Sequence, residues 1–405
     1  MNQAPLSHIR VLDLSRIMAG PWASQIFADL GADVIKIERE GRGDDTRSWG
    51  PPFLKDRDGN DTTDAGYFLA VNRGKRSITL DIATPEGQRV VRELVRHCDI
   101  VIENFKVDTL DRYGLGYEDL KAIKPDIIYC SVTGFGQTGP RRDQPAYDFM
   151  IQAMGGLMSV TGEPDGAPGG GPEKVGVPIV DIMTGMYAAI ATLGALARRS
   201  VTGAGDHVDI AMLDVQVGFL ANQAMNYLVS GIPPRRAGNA HPNIQPQDVF
   251  PCRDGHLVLV VGNDGQFARF CEVIGQPGLA ADPRFAANAD RVRNRLVLSE
   301  IITTAFAEAD MTDWLARLDA AGVPCGPINT IPRVFEDEQV RHRGMKMQMD
   351  HPLAGTVDLV ASPMRFRDAS LRRDRHPPLL GEHTAEVLAE FAIQPPADIG
   401  GSPHA

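Results

Sequence analysis

Asp181 stands near the start of a long apolar stretch, and its type and position make it the first residue that could do chemistry. The stretch reads VGVPIVDIMTGMYAAIATLGALARR, residues 175–199, and no other charged side chain occurs in it before Arg198. A carboxylate at the start of a helix can cap the helix, or it can attack an activated acyl group as a nucleophile. The residues alone favour the cap, because Asp is among the preferred residues at that position.

Cationic side chains lie close to the ends of several predicted strands. Arg39 follows the second strand, Lys75 and Arg76 precede the third, and Arg112 follows the sequence ENF. Open parallel sheets bind ligands at strand ends, so these residues could bind phosphate groups, although most Lys and Arg side chains are simply solvated. The first strand–turn–helix segment, LDLSRIMAGPWAS, could also present free backbone N–H groups near Ala19 to an anion.

Common nucleotide and metal motifs are missing from the sequence. The first turn lacks the glycines of GxGxxG, and GxxxxGK[ST] does not occur, which disfavours a dehydrogenase and a phosphate-binding loop. The Gly-rich segment 161–176 is therefore predicted to be a surface loop or a lid. The 5 cysteines are scattered without CxxC, and the 10 histidines show no HExxH or HxxxH spacing, so neither disulfides nor a metal site is expected. A net charge of −11 argues against nucleic acid and anionic membranes as partners.

Strand and helix patterns alternate over the first 135 residues and would position these candidates. Apolar runs separated by helical patterns predict parallel strands covered on both faces, an α/β, Rossmann-like doubly wound sheet. The runs are 9–15, 32–39, 76–82, 99–105 and 126–135. Further along, DVFPCRDGHLVLVVG predicts a hairpin that turns at Asp254 and Gly255.

The patterns predict a large and a small domain within one chain. The predicted segments are a large Rossmann-like domain over 1–200, a linker helix over 201–230, a smaller α+β domain over 231–330, and a return to the large domain over 331–405. The N-terminal residues show no basic region followed by an apolar one, so a cytoplasmic location is expected.

Ordered sequence blocks resemble a known enzyme family. The blocks are VLDLSRIMAGPWASQIFADLGADVIKIERE, GDDTRSWGPPF, NRGKRSITLD, VIENF, LGYEDL, CSVTGFGQTGP, YDFMIQAMGGLMSVTG, VDIMTGMYAA, GNAHPNIQP, GVPCGPIN and PPLLGEHT. Running from residue 8 to residue 390, they resemble the class III CoA-transferases, the family of formyl-CoA transferase and carnitine CoA-transferase. GDDTRSWGPPF, GFGQTGP and GPIN are most similar to the branch of succinate–hydroxymethylglutarate CoA-transferase-like enzymes, which use dicarboxylates.

The resemblance implies roles for particular residues. It places the catalytic carboxylate at Asp181. The CoA-binding residues that it implies are Ile17, Met18, Ala19, Arg39, Lys75, Asn104, Phe105, Arg112 and Tyr147. For the distal carboxylate of a dicarboxylate we expect an Arg, and Arg47 beside Trp49 is the candidate, with Asp148 and His241 as further polar candidates. The family also implies an interlocked homodimer of a large and a small domain. GNAHPNIQP stands where formyl-CoA transferase has a glycine-rich lid, so that lid is not carried over.

The expected activity is transfer of CoA from an acyl-CoA, with succinyl-CoA as the expected donor, to a dicarboxylic acid. Asp181 would form an acyl anhydride and then an aspartyl-CoA thioester, with no tightly bound cofactor and no metal, since the CoA thioester is itself the substrate. The alternative is an α-methylacyl-CoA racemase of the same fold, which needs a second acid/base on the opposite face of the substrate. Racemases carry a His there in a GHD-like block, whereas this chain has AYDF, with Tyr147 and Asp148. A non-catalytic acyl-CoA-binding protein is a third option.

Overall fold

The computed structural model describes residues 3–396. The strands are β1 (Arg10–Asp13), β2 (Asp33–Glu38), β3 (Phe53–Lys55), β4 (Asp61–Ala65), β5 (Lys75–Thr79), β6 (Ile100–Glu103), β7 (Ile128–Thr133), β8 (Asp206–Ala211), β9 (Gln247–Pro251), β10 (His256–Val260), β11 (Cys325–Pro327), β12 (Lys346–His351) and β13 (Gly355–Val360). Short 3-10 helices span Asp45–Ser48, Asp111–Tyr113 and Pro277–Ala281.

The α-helices connect and cover these strands. They are α1 (Ala19–Asp29), α2 (Gly66–Leu69), α3 (Pro85–Val95), α4 (Tyr117–Ile123), α5 (Asp148–Met154), α6 (Leu157–Val160), α7 (Ile179–Thr202), α8 (Met212–Gly218), α9 (Ala221–Ser230), α10 (Asp264–Val273), α11 (Asn288–Arg293), α12 (Arg295–Phe306), α13 (Met311–Ala320), α14 (Ile331–Glu336), α15 (Glu338–His342) and α16 (Thr384–Glu390).

A six-stranded parallel sheet lies at the centre of the fold. Its order is β5-β2-β1-β6-β7-β8, and each pair of neighbouring strands runs in parallel. The chain leaves β1 toward β2 and β5 on one side and later adds β6, β7 and β8 on the other. The carboxyl ends of β1 and β6 therefore meet where the direction of winding changes, which is the position where sheets of this kind bind ligands. The predicted mixed α/β fold with a parallel central sheet is confirmed.

Helices cover both faces of this sheet, as continuous apolar strands require. On one face Leu12, Ile35 and Val101 pack against side chains of α3 and α16, among them Leu94 and Leu388. The other face belongs to α1 and α7. There the alternate residues of the same strands pack against the two helices, and those residues are Val11, Val34, Ile100, Ile102 and Ile128.

The described chain divides into two compact units. The second unit comprises Met158–Lys174 and Met225–Glu338, and the first contains the remaining residues. In the second unit β11, β10 and β9 form an antiparallel sheet, so the predicted hairpin is confirmed. Phe250, Phe270, Phe306 and Trp314 pack in the core of that unit.

Helix α7 passes unusually close to α1. A Cβ atom added at Gly185 would lie 2.5 Å from the Ala19 carbonyl oxygen and 2.9 Å from Cβ of Trp22, so a larger residue cannot be accommodated without a shift. α7 is the one helix within residues 3–396 long and apolar enough to cross a membrane by length and composition, and its buried residues include Val180, Ala188 and Ala195. Gly185 lies one turn beyond Asp181, so the close crossing fixes where Asp181 sits relative to the start of α1.

We expect Gly185→Ala to lower the free energy of unfolding by about 1–3 kcal/mol, because overpacking a tight contact forces the two backbones apart. The matched control is Gly194→Ala in the same helix, where an added Cβ meets no atom within 4 Å. That control should be neutral or stabilising by up to about 1 kcal/mol, since Ala favours helix over Gly. Urea unfolding of both variants measures the difference, and equal effects would contradict the tight crossing.

Candidate active site

The loops that follow β1 and β6 are joined by one side chain, Asn104. The Arg16 backbone N–H donates to Asn104 Oδ1 at 2.8 Å, and Asn104 Nδ2 donates to the Arg16 carbonyl oxygen at 2.7 Å. The next residue, Ile17, has φ of 72°, a left-handed conformation that a β-branched residue rarely adopts. Such strain costs roughly 1–3 kcal/mol and persists only where the surroundings enforce it. The turn that leads into α1 is therefore held in one specific conformation.

A cavity of about 180 Å³ opens above this turn. Its wall contains Asp181 together with residues of the β1 and β6 loops and of the segment before α5. Six of the predicted CoA-binding residues line it, namely Ile17, Met18, Ala19, Asn104, Phe105 and Tyr147. The structure thus brings the predicted nucleophile and these six residues into one cavity, although they lie far apart in the chain.

Asp181 does not cap helix α7, so the interpretation that the residues alone favoured is wrong. The helix begins at Ile179 after Pro178, and no side chain at the cap position accepts a hydrogen bond. The acceptor comes instead from Asp148, whose Oδ2 receives the backbone N–H of Val180 at 2.7 Å and of Asp181 at 3.2 Å. Asp148 satisfies donors that the first helical turn leaves free. The carboxylate of Asp181 does not have to serve as the cap.

Two carboxylates therefore stand at one helix terminus in different environments. Burial raises the pKa of Asp181 to about 7, and the negative charge of Asp148 adds to the increase. Asp148 accepts the two backbone N–H bonds, and its Oδ1 also accepts from the Gln152 amide at 2.5 Å. Hydrogen-bond donors stabilise an ionised carboxylate, whereas burial destabilises one. The arrangement leaves Asp181 poised between its two protonation states at neutral pH.

Tyr67 faces the same carboxylates and was missed in the sequence. Its pKa is raised to about 12 by burial and by the charges of Asp181 and Asp148. The Trp49 ring, predicted to lie near the substrate, packs edge-on against the Tyr67 ring with 5.2 Å between centroids and is 42% exposed. No local pattern marks Tyr67, since it lies in the short helix α2 and is brought to Asp181 only by the tertiary fold.

Lys75 and Arg47 do not line this cavity, which corrects two expectations. Lys75 is fully buried, and its Nζ donates to Asp13 at 3.1 Å, to Asn72 at 2.9 Å and to the Pro21 carbonyl oxygen at 3.0 Å. Burial is the main cause of its pKa falling to about 8. All three donor positions of the ammonium group are used. Lys75 therefore joins Asp13 to the first turn of α1 and is not available to a ligand.

The side chain of Arg47 is also bonded to other groups of the protein. Its guanidinium, 3% exposed, donates to Glu38 at 2.7 and 2.8 Å, to Asp64 at 2.6 Å and to the Pro378 carbonyl oxygen at 3.0 Å. It also stacks on the Phe68 ring at 3.7 Å from the centroid. A guanidinium with these partners is a structural group, so the structure does not place Arg47 where it could meet a substrate carboxylate.

The buried charged residues around Arg47 also support Ile17, the residue in the left-handed conformation. Asp44 accepts the Ile17 backbone N–H at 3.2 Å and pairs with Lys36 at 3.0 Å. Lys36 Nζ also donates to the Ser15 carbonyl oxygen at 2.7 Å. Glu38, the acceptor of Arg47, in turn accepts the Asp44 backbone N–H at 2.9 Å. Buried ion pairs therefore hold both ends of the turn between β1 and α1.

A neighbouring cavity of about 250 Å³ contains the predicted residue Arg39. It shares Arg16 and Phe105 with the Asp181 cavity, and Leu80, Ile82 and Tyr113 are among its apolar walls. Arg112 is not part of either lining; its side chain donates to the Asp108 carbonyl oxygen and to Thr109 Oγ1, each at 3.2 Å. His241 lies in the second unit. Among residues 3–396, no group of three His, Cys, Asp or Glu residues could hold a metal ion.

Comparison with known proteins identifies the class of enzyme. The sequence model of CoA-transferase family III matches residues 6–384. A succinate–glutarate CoA-transferase of Agrobacterium fabrum is 50% identical over 390 residues, covering 96% of each chain. The human succinyl-CoA:glutarate CoA-transferase is 41% identical over 96% of this chain and 86% of its own length. A crystal structure of a CAIB/BAIF family protein from Brucella suis superposes with a TM-score of 0.84 at 50% identity, covering 96% of this chain and 100% of that one.

The chain belongs to CoA-transferase family III. It is therefore an enzyme, a class III CoA-transferase, as the ordered sequence blocks predicted.

The raised pKa of Asp181 predicts how stability depends on pH. In the unfolded chain this carboxyl ionises near 3.8, so between about pH 4 and pH 7 the unfolded state binds fewer protons and wild-type stability falls as pH rises. Asp181→Asn removes this penalty. Its free energy of unfolding relative to wild type should increase by on the order of 2 kcal/mol between pH 4 and pH 8, allowing for the partial exposure of the group.

Urea unfolding at a fixed protein concentration measures this difference. Asp58→Asn, in an exposed turn, is the control for loss of a carboxylate. A pH-independent difference for Asp181→Asn would show that Asp181 ionises as an ordinary carboxyl.

Proposed function

We propose that this protein moves CoA from succinyl-CoA to glutarate or a similar dicarboxylic acid through covalent intermediates on Asp181. The observation that carries the proposal is the cavity in which a desolvated carboxylate, Asp181, meets the start of α1 and the loop after β6. The relatives named as transferring CoA between succinate and glutarate support the choice of donor and acceptor.

The proposed reaction exchanges acyl bonds without net hydrolysis. An oxygen of ionised Asp181 attacks the thioester carbonyl carbon, the C–S bond breaks, and a succinyl–aspartyl anhydride and CoA thiolate form. The thiolate then attacks the aspartyl carbonyl carbon. The bond from that carbon to the succinate oxygen breaks, so succinate leaves and an aspartyl-CoA thioester remains.

The second half runs the same chemistry in reverse order with the acceptor. A glutarate carboxylate attacks the aspartyl thioester and expels CoA thiolate, and the thiolate attacks the glutaryl carbonyl carbon. Glutaryl-CoA leaves and the Asp181 carboxylate is restored. Each step replaces one activated acyl bond by another of comparable energy, so the chemistry balances with no other reactant. Partial burial of Asp181 limits access of water, which would otherwise hydrolyse the anhydride.

Two adjoining cavities support this mode of binding. CoA combines a phosphorylated nucleotide with a long thiol arm, and the Arg39 cavity would hold the nucleotide end while the arm reaches Asp181. The backbone N–H groups at the start of α1 provide a favourable position for an anion. Arg16, Lys106 and Arg142 also line the Asp181 cavity and are the cationic side chains in its wall, with Arg16 paired to Asp45 and Arg142 to Asp108. Exchange of these exposed pairs would let them meet phosphate or a distal carboxylate.

We further propose a Rossmann-like CoA-binding domain, an interlocked homodimer and a cytoplasmic location. The strand order, with β1 at the centre and the chain winding outward on both sides, supports the first. Exposed apolar side chains on α5 and α7 support the second, because a soluble monomer rarely leaves so many uncovered. They include Phe149, Met150, Tyr187 and Ile190.

The first test incubates the protein with succinyl-CoA and a panel of acids, namely glutarate, itaconate, mesaconate, malate and oxalate, and detects new acyl-CoA species by mass spectrometry. Glutarate should give glutaryl-CoA, and Asp181→Ala should lower the transfer rate more than about 1,000-fold, because the nucleophile is lost.

Each negative result of this test bears on a different part of the proposal. Absence of transfer to every acid would contradict the dicarboxylate assignment. Unchanged turnover in Asp181→Ala would contradict the covalent mechanism. Deuterium exchange at the α-carbon of a branched acyl-CoA, without transfer, would instead support the racemase alternative.

Asp148 should set the pH range of this activity. Asp148→Asn keeps an oxygen that can accept the helix N–H groups but removes the negative charge, so the pKa of Asp181 should fall. The acidic limb of the kcat/KM profile should therefore move to lower pH by about 0.5–1 unit.

Asp148→Ala provides the comparison, since it removes the charge and the acceptor together. We expect it also to lower kcat by about 10-fold or more, because the start of α7 loses its fixed position. An acidic limb at the same pH in wild type and in Asp148→Asn would exclude Asp148 as a source of the Asp181 shift.

A further inference from the structure

A second group of buried polar side chains lies on the opposite face of the central sheet from α7. Glu103 ends β6, Ser131 lies beside it on β7, and His207 lies on β8. Because residues of one sheet face alternate along a strand, these side chains project toward α4 and away from α1 and α7. A separate cavity of about 210 Å³ is lined by all three and by Tyr117 and Tyr129.

The three polar groups lie close together on this face. Ser131 Oγ lies 2.9 Å from His207 Nε2, and Ser131 is the neighbour of Glu103 across the β6–β7 pair. Glu103 is 5% exposed and Ser131 2% exposed, whereas His207 is half-buried and stacks on Tyr117 with 4.9 Å between ring centroids. The group therefore extends from the interior of the sheet outward to a side chain that solvent can reach.

Glu103, the most interior of these groups, is bonded to the wall of the proposed CoA pocket. The backbone N–H of Phe105 donates to Glu103 Oε2 at 2.8 Å. Phe105 lines both the Asp181 cavity and the Arg39 cavity, and the preceding residue, Asn104, ties the β6 loop to the β1 loop. One carboxylate beneath the sheet thus fixes the residue that the two cavities share.

Glu103 can keep this contact in either protonation state. Burial raises the pKa of Glu103 to about 7, and Asp111 and Asp209 add to the increase. An ionised carboxylate accepts through both oxygens, and a protonated one still has an oxygen that can accept the Phe105 N–H.

Other charged groups surround Glu103. Lys106, Asp108, Glu118 and Arg142 line the same cavity, and Arg142 pairs with Asp108. Arg142 and Lys106 also line the Asp181 cavity, so the segment after β6 forms a wall of both. None of these side chains is bonded to the Phe105 N–H, which leaves Glu103 as its acceptor.

We propose that Glu103 is a positioning residue for the acyl-CoA substrate, acting through the Phe105 backbone. The inference rests on the proposed function, because it assigns the Phe105 loop to CoA binding. Glu103 does not touch the reacting atoms. Its removal should therefore weaken binding of the thioester much more than it slows the chemical step.

The test compares Glu103→Ala with Glu103→Gln. Glutamine keeps the shape of the side chain and an oxygen for the Phe105 N–H, so Glu103→Gln should rescue the defect of Glu103→Ala. It also controls for an alanine variant that fails to fold. We expect Glu103→Ala to raise KM for succinyl-CoA about 10-fold with kcat within 2-fold of wild type, and Glu103→Gln to keep KM within about 3-fold. Asp111 lines the same cavity but does not accept the Phe105 N–H. The control variant Asp111→Asn should therefore leave KM and kcat unchanged.

Amide hydrogen exchange gives a readout that does not depend on activity. Exchange at Phe105 should accelerate at least 10-fold in Glu103→Ala and stay near wild type in Glu103→Gln and Asp111→Asn. Faster exchange with an unchanged KM would overturn the link to the substrate while confirming the contact. Equal loss of kcat and kcat/KM, or no rescue by glutamine, would overturn the positioning role. A wild-type protein without transferase activity would overturn the proposed function itself, whatever the exchange shows.

Discussion

A set of buried ion pairs at the carboxyl ends of β1 and β2 is the interaction on which the rest of the site depends. Asp13, Lys36 and Lys75 are fully buried there, and Asp44 and Glu38 complete the set. Isolated charges in such a position would be very unfavourable, so each must have its partner, and removing one partner of a buried pair typically costs about 3–5 kcal/mol. The network therefore exists only with the loops in the arrangement observed. It is this arrangement that maintains Ile17 in its strained conformation.

The start of α7 meets a second constraint of the same kind. A helix begins with backbone N–H groups that need acceptors, and Asp148 provides one acceptor from a different helix. Asp181 can then stand in the first turn without capping it. Asp148 accepts hydrogen bonds at both carboxylate oxygens, whereas Asp181 is largely buried. Burial and the charge of Asp148 together raise the pKa of Asp181, so the charge on Asp181 is the less stable and the more reactive.

The central sheet connects the buried ion pairs and the start of α7, since its two faces support different parts of the site. α1 and α7 cover one face and bring Gly185, Ala19 and Asp181 together through a close backbone contact. On the other face Glu103 holds the Phe105 N–H from below. Loops that bind ligands are usually the mobile parts of a protein. Here the loops after β1 and β6 are bonded to each other and to buried charged residues of the sheet, and these bonds restrict their motion.

The sequence by itself determined the parallel sheet, the enzyme family and most of the cavity. Continuous apolar runs separated by helices can only be buried strands in a layered α/β fold, and residues directly after β1 and β6 must converge because parallel strands end at one edge. The resemblance to the class III CoA-transferases groups Ile17, Met18, Ala19, Asn104 and Phe105, and the convergence of the strand ends gives the physical reason why they line one cavity.

Only the tertiary structure decided which charged side chains face the cavity. Lys75 and Arg47 are of the residue types expected to bind ligands, yet each is bonded to a carboxylate of the protein. Lys75 pairs with Asp13, 62 residues away in sequence, and Arg47 pairs with Glu38, 9 residues away. The acceptor that caps α7 is Asp148, 33 residues before Asp181, and Tyr67 approaches Asp181 from the short helix α2. A long side chain pairs with whichever opposite charge the fold places beside it. Local sequence specifies the charge but not the neighbour, because that pairing depends on contacts between segments remote in the chain.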